Sequence, residues 1–503
     1  MNPRLRAVCE LDVAGSRENA GMHEYDGRVQ DLSPGGVRSA LAALGDGPAE
    51  DDAFDEIVLS TAEATARLMY GELEEHRSNP LPHISNLDLS PYVREYAPEE
   101  ERAAARRAHL AQWPDAIDAA IESLDRVRAP VAEGLLSTVR GLVADVDATD
   151  PEAATALAAH ARFVAHLEHA AATGDPDPAI GAEVLGAMMG VPEAMAVDVS
   201  RLAERADAER ARLRAALRDE CERLSPGSGA DLDTFIASLM ADHPTTPDGI
   251  YAEAQAQIDE ATRFALDHDL IEDPGGECFV GPAPPSAAWA MAMMAWAGPF
   301  EADAPSWYWV TPPDPSWPRD EQDEWLTGFS RTTLPAITVH EVTPGHYAHS
   351  RYLRRLTSDV RKTVMSPAFT EGWAHYSEEL YVEEGFRSED PRFAIGTYLE
   401  ALTRVTRLAV AIGMHTGGMT LAEGTERFQR DAHAAHATAK SEATRATFNP
   451  TYGYYTWGKL ELLRLRERAR HTWRAGYTHR RFHDAVLALG APPLGLIDHA
   501  LND

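Results

Sequence analysis

Lysine is nearly missing from this 503-residue chain: Lys362, Lys440 and Lys459 are the only three. Arginine supplies the rest of the 46 basic residues, a compositional bias that says nothing about function by itself. Against 80 acidic residues the formal net charge is -34. Such a chain lacks the basic surface that nucleic-acid phosphates or an anionic membrane demand, so neither is expected as a partner. Cysteine is equally scarce. Cys9, Cys221 and Cys278 lie far apart with no CxxC spacing, which excludes a thiolate metal site and favours a reducing compartment. Long apolar runs are absent too. The longest uncharged stretch, Cys278 to Phe300, is interrupted by Pro282, Pro284, Pro285 and Pro299 and cannot span a bilayer as a helix. The N-terminal MNPRLRAVCELDVAGSRENAG has no apolar signal core, so a cytoplasmic protein is expected.

What is present, 44% hydrophobic and 25% charged residues, is the balance of an ordinary folded protein. The length calls for a large single lobe or two to three packed subdomains, and nothing in the sequence specifies an oligomeric state. Residues 1–50 are rich in Gly and Asp and read as partly irregular. Residues 51–272 read as a helical N-terminal lobe. EDDAFDEIVLSTAEATARLMYGELEEHR spaces its apolar residues by three and four, and AERADAERARLRAALRDECERL reads as one long helix whose mixed charges form a scaffold face. From 273 to 318 Pro, Gly and Trp dominate, and runs such as ECFVG and SWYWVTPP read as short strands. SWYWVTPP is either an aromatic cover for the core or an edge strand able to pair with an extended peptide. The Met-rich AWAMAMMAWAG reads as packing. Helices return over 319–503, and the fold class is mainly α.

The stretch that carries chemistry is TVHEVTPGHYAHS, residues 338–350. Hydrolysis on zinc needs three protein ligands, an open position for water and a base for its proton. In HExxH two histidines four apart share one helix face. Here His340 and His346 are six apart, which on an unbroken helix places them roughly 120° apart. Pro344 removes a backbone donor and clashes with the carbonyl four residues back, while Gly345 tolerates unusual dihedrals. Two residues can therefore loop out and return His346 to the face of His340. Twenty-five residues later, SPAFTEGWAHYSEELY supplies an acidic candidate for the third ligand in Glu371, with Glu378 two turns on along the same face. Glu378 reads as a partner that orients a ligating histidine.

HEVTPGH, FTEGWAHYSEEL, YTWGKLELLRLRERA and FHDAVLALGAPPLGLIDHAL resemble a bacterial domain-of-unknown-function family defined by HExxPGH and EGWA motifs. The resemblance covers about residues 330–500. It implies a zinc metallopeptidase with a large helical fold and a small β element near the cleft, similar to helical gluzincins such as angiotensin-converting enzyme, thimet oligopeptidase and thermostable carboxypeptidases. It implies His340, His346 and Glu371 as zinc ligands, Glu341 as general base and Tyr455 as donor to the developing oxyanion. Lys459 and Arg466 become candidates for pairing with a substrate carboxylate. The chain departs from the pattern at His349, where the family often has Gln, and at His375, where it often has an aliphatic residue. Either histidine has a place near the metal or in packing. NPTYGYYTWGK is a residue shorter than the family's segment, which leaves Tyr452 and Tyr454 as alternatives to Tyr455.

Other clusters read as scaffold. His433 and His436 in DAHAAHATAK have no acidic third ligand beside them, and Glu442 and Arg445 read as a structural ion pair. The function implied is zinc-dependent cleavage of an amide bond in a short peptide or amino-acid conjugate, as by a carboxypeptidase or dipeptidase. Its alternatives are a biosynthetic or detoxifying amidohydrolase acting on a non-peptide substrate, and a catalytically inactive binding protein on the same scaffold.

Overall fold

In a computed structural model the described residues are 1–502 apart from 285, 286, 288, 289, 302 and 303. Helices account for nearly all of the regular structure, so the fold is mainly α. Residues 1–50 are partly irregular, with short helices between turns and loops. They form helices Pro3–Glu10, Val13–Glu18 and Pro34–Ala42, each started by a side-chain cap from Asn2, Asp12 or Ser33. Leu5, Cys9, Val13 and Tyr25 are buried with Phe54, Val58 and Leu59, and with Val360 and Leu496 from the far end of the chain. The segment, partly irregular as its composition suggested, is docked by these contacts.

Two large hydrophobic cores divide the rest, and the division does not fall at residue 272. One gathers Ile84 to Leu167 around Trp113 and Phe163. The other begins at Leu185 and includes Leu202, Leu213 and Leu217 of the long helix Val199–Leu224 together with Trp373, Leu402, Leu465 and Ile497. The long helix is thus a wall of the C-terminal core, joined to it by buried charge. Lys459, with no exposed surface, lies 2.6 Å from Glu209 and 3.0 Å from Glu379, and Arg212 bonds the same two glutamates.

The β element is a three-stranded sheet of order β1-β3-β2, with β1 at Cys278–Pro282, β2 at Ala292–Ala295 and β3 at Ser306–Val310. Strand β3 runs parallel to β1, with Cys278 opposite Ser306, and antiparallel to β2, with Met294 opposite Tyr308. SWYWV is therefore the central strand, with both backbone edges used, and cannot be the edge strand that the sequence allowed. Its Tyr308 and Val310 pack with Ile250, Ile258 and Leu334. Met291 and Met294 join that cluster, while the first two residues of AWAMAMMAWAG, 288 and 289, lie outside the described residues.

Candidate metal centre

The helix Leu334–Glu341 stops at the glutamate, and a second helix, His346–Arg355, starts five residues later. Between them Val342 leaves helical geometry (φ -112°, ψ -88°), and the Thr343–Pro344 peptide is cis. The hydrogen-bond ladder shows how the gap is spanned. Gly345 N–H donates to the Val339 carbonyl at 3.3 Å and Ala348 N–H to Val342 at 3.0 Å, both six residues back instead of four. Two extra residues have been accommodated. A Cβ on Gly345 would stand 1.8 Å from the His340 carbonyl oxygen, so only glycine fits there. The bulge is tied down by the Trp373 indole, which donates to the Pro344 carbonyl at 2.8 Å.

The loop-out brings the two imidazoles together. Their ring centres are 4.8 Å apart and their planes almost perpendicular. Glu371 approaches from the helix Pro367–Glu383, which is capped by Ser366 and opened by Pro367. That helix crosses Tyr454–Trp473 backbone to backbone: a Cβ on Gly372 would come within 2.6 Å of Gly458. The glycines of EGWA and of YxxGK are thus the contact that places Glu371 and Tyr455 on one cavity.

Nε2 of His340 and Nε2 of His346 each lie 3.4 Å from the same oxygen, Oε2 of Glu371. That oxygen is buried and makes no hydrogen bond among the described residues, as is true of Oε2 of Glu341 and Nδ1 of His346. Buried polar atoms are rarely left unpaired, so several at one spot call for something to bind them. Two donors held at about 2.0–2.1 Å by one tetrahedral zinc ion stand about 3.3 Å apart, which the two imidazole-to-carboxylate distances match. They are the one group among the described residues in which three or more His, Cys, Asp or Glu donor atoms, here all within 4.8 Å, converge as ligands would.

Behind the trio, Glu378 accepts from Nδ1 of His340 at 2.6 Å and from Arg404 at 3.2 Å. The glutamate helix therefore holds both nitrogens of one imidazole, and the bond to Glu378 turns the lone pair of Nε2 towards Glu371. Burial and Arg404 both oppose a charge on His340, yet Glu371 and Glu378 outweigh them and lift it to about 9. Burial likewise works against ionised Glu371, but the two imidazoles hold its carboxyl well below the ordinary range. Burial raises Glu341. The pocket attracts positive charge.

Of the tyrosines, Tyr455 stacks 6.4 Å from the His340 ring, and its hydroxyl makes no hydrogen bond among the described residues. Tyr454 stacks on Tyr455 at 5.0 Å. Tyr452 is fully buried and donates to the Glu442 carbonyl at 2.9 Å, which removes it as an oxyanion donor. His349 is turned to the Gly490 carbonyl at 3.1 Å and, driven by burial, falls to about 4. His375 sits behind Glu378, its Nδ1 3.6 Å from Oε2. Neither histidine joins the trio.

The structure also corrects the candidate carboxylate partners. Lys459 is held between Glu209 and Glu379, because a buried ammonium must be paired. Arg466 bonds Glu383 at 2.7 and 3.0 Å and lies eleven residues beyond Tyr455, about 16 Å along the helix. Three residues of the cavity went unread: Arg404, Arg407 and Trp296. Trp296 follows β2 and sets its ring 5.9 Å from His346. Arg404 and Arg407 interrupt the apolar face of the helix Arg392–Gly417, a signal visible in TRVTRLAVAIG.

Relatives share this architecture. A candidate lipoprotein of unknown function from Shewanella oneidensis superposes with a TM-score of 0.77 over 99% of this chain and 98% of its own, at 19% identity. A candidate lipoprotein from Colwellia psychrerythraea gives 0.75 over 99% and 96%, at 16% identity. Both show the fold alone. No curated protein matches the sequence. The family model described as "Bacterial protein of unknown function (DUF885)" matches residues 16–501, and the chain belongs to that family.

Proposed function

We propose that the protein is a zinc-dependent hydrolase that cleaves an amide bond in a short peptide or an amino-acid conjugate. One observation carries the reading: two imidazole nitrogens converge at the spacing of metal ligands on a buried carboxylate oxygen that makes no hydrogen bond among the described residues. His340, His346 and Glu371 would hold the ion, which when bound supplies Lewis acidity and a water whose pKa falls to about 7. The remaining work belongs to side chains. Glu341 follows a ligand directly, and its Oε2 is free to take the proton of the attacking water and to return it to the leaving amine. Tyr455 offers a phenolic hydroxyl to the negative charge that develops on the carbonyl oxygen. Glu378 and Arg404 keep His340 in place.

The edge role that the sequence left open for SWYWV falls instead to β2, which is followed by Trp296 beside His346 and has one backbone edge unpaired among the described residues. An extended substrate has a strand to lie against. The cytoplasmic setting is supported by three cysteines that are all unpaired. Among the described residues no helix is long and apolar enough to cross a membrane.

The test is metal analysis of purified protein beside His346→Ala and Glu341→Gln, with all three proteins challenged by peptide and N-acyl amino-acid panels. Near-stoichiometric zinc is expected in the parent, none in His346→Ala, and zinc without turnover in Glu341→Gln. Turnover that survives in Glu341→Gln removes the base. Cleavage of N-acyl amino acids alone replaces the peptidase with an amidohydrolase.

A further inference from the structure

A substrate held by its carboxylate needs a cation near the metal centre, and Lys459 and Arg466 are committed elsewhere. The wall that carries Tyr455 has three guanidiniums of its own. Arg404 pairs with Glu378 at 3.2 Å and Glu400 at 3.4 Å. Arg407 grips Glu442 through bonds of 2.6 and 2.7 Å and lays its guanidinium 5.2 Å from the Tyr455 ring centre. Arg445 is different.

It stands one turn after Glu442 on the helix His436–Phe448, where local spacing makes the two natural partners. Arg407, reaching across from the helix Arg392–Gly417, has taken that carboxylate in a two-pronged grip. Arg445 is left half-buried above the Tyr452 ring at 5.5 Å, with no carboxylate partner and no side-chain hydrogen bond among the described residues. Its charge acts on the hydroxyls of both Tyr454 and Tyr455, and so does the charge of Glu371. Geometry links the two ends: Tyr455 lies 6.4 Å from the His340 ring, and Arg407, 5.2 Å from the Tyr455 ring centre, holds Glu442 on the helix that carries Arg445. Tyr452 fixes the platform, since its own hydroxyl is held by the Glu442 carbonyl. A planar cation stacked on an aromatic face, with its edge left open, suits the bidentate capture of a carboxylate.

We propose that Arg445 binds a carboxylate of the substrate, so that the amide cleaved at the metal centre lies in a molecule with a free carboxylate close by. A peptide C-terminus and an N-acylated amino acid share that chemistry. The proposal rests on the hydrolase reading for the reaction but not for the binding step.

The test titrates N-acetylphenylalanine and its terminal amide into the purified zinc-loaded protein by calorimetry, with Arg445→Ala and Arg445→Lys alongside. The parent is expected to bind the acid at least tenfold tighter than the amide, Arg445→Ala to lose that ratio, and Arg445→Lys to recover part of it. In parallel, dipeptides and N-acyl amino acids are offered as free acids and as amides. The ratio of kcat/KM, acid over amide, is expected to fall at least tenfold in Arg445→Ala, and the panel that is cleaved identifies the source of the carboxylate. Should the parent not distinguish acid from amide, or not bind either, or should Arg445→Ala keep the ratio, the proposal is overturned. Absence of all hydrolysis with the binding ratio intact overturns the hydrolase reading and leaves Arg445 standing. Arg445→Lys guards against an alanine variant that fails to fold.

Discussion

His83, His109 and His160 are buried in and beside the N-terminal core, as His340 and His346 are in the C-terminal one. The surroundings differ in kind. Nε2 of His83 bonds the His76 carbonyl at 2.8 Å, and Nε2 of His160 bonds the Val139 carbonyl at 2.7 Å. His109 spans the Tyr92 hydroxyl at 3.0 Å and the Asn86 carbonyl at 2.9 Å. The hydrogen bonds of these three rings run to neutral partners. His340 and His346 instead meet carboxylates, and the Glu371 oxygen that faces both rings is left without a hydrogen bond among the described residues. Burial of an imidazole marks nothing by itself. Convergent, unpaired donors of both kinds mark a site.

The comparison breaks first on metal content, where the effect is all or none. His340→Ala is expected to abolish zinc binding, while His109→Gln keeps it and loses about 1–3 kcal/mol of stability because two buried polar groups need new partners. Gly345→Ala should behave like a ligand variant although it removes no ligand, since the added methyl meets the His340 carbonyl. Zinc measured in all three proteins decides the matter. Full zinc in Gly345→Ala would mean that the two-residue bulge is not what brings the histidines together.

That bulge was legible in advance because Pro344 and Gly345 act locally and the six-residue spacing allows one remedy. Glu371 and Glu378 were legible for a similar reason: seven residues put them on one helix face. Whatever depended on distant partners was not. Glu442 and Arg445 are ideal neighbours by spacing, yet Arg407 wins the carboxylate from thirty-five residues away. Lys459 and Arg466 follow Tyr455 on its helix, but the helix turns them to Glu209, Glu379 and Glu383, which no local pattern announces. Strand order is the same lesson, for SWYWV looks alike at an edge or in the centre. The first 50 residues were legible in part: turns and loops run between their helices, as the Gly and Asp content suggested, while the caps at Asn2, Asp12 and Ser33 mark helices that composition alone does not announce.

Acid should sharpen the contrast next. Burial pushes His83 down to about 4 and His109 down to about 3, whereas the ordinary value in an unfolded chain is about 6.5. The unfolded chain therefore takes up protons that the folded core refuses. The stability from these neutral rings is complete above about pH 6.5 and is lost as the pH falls from there towards the folded values. A tenfold difference in proton affinity between the folded and unfolded chain is worth about 1.4 kcal/mol, so the two rings together represent several kcal/mol. The melting temperature is expected to drop between pH 7 and pH 5, and to drop less in His109→Gln. Equal slopes in the two proteins would remove His109 as a source of acid sensitivity.

The smallest effects separate the tyrosines. Tyr455 and Tyr452 are three residues apart and both buried, but one hydroxyl lacks a hydrogen bond beside His340 and the other is bonded to a backbone carbonyl. Tyr455→Phe removes a donor that acts only when charge develops on the substrate. It should lower kcat by roughly a hundredfold, leave KM nearly as it was, and leave the melting temperature almost unmoved. Tyr452→Phe keeps the ring beneath Arg445 and removes only the bond to the Glu442 carbonyl. It should cost about 1 kcal/mol of stability, read as a lower denaturation midpoint, with turnover within about twofold of the parent. Tyr454 stacks on Tyr455, so its phenylalanine variant is the arbiter. A large loss of kcat there with Tyr455→Phe still active would move the oxyanion donor one residue along the chain, while the metal trio and Glu341 kept their places.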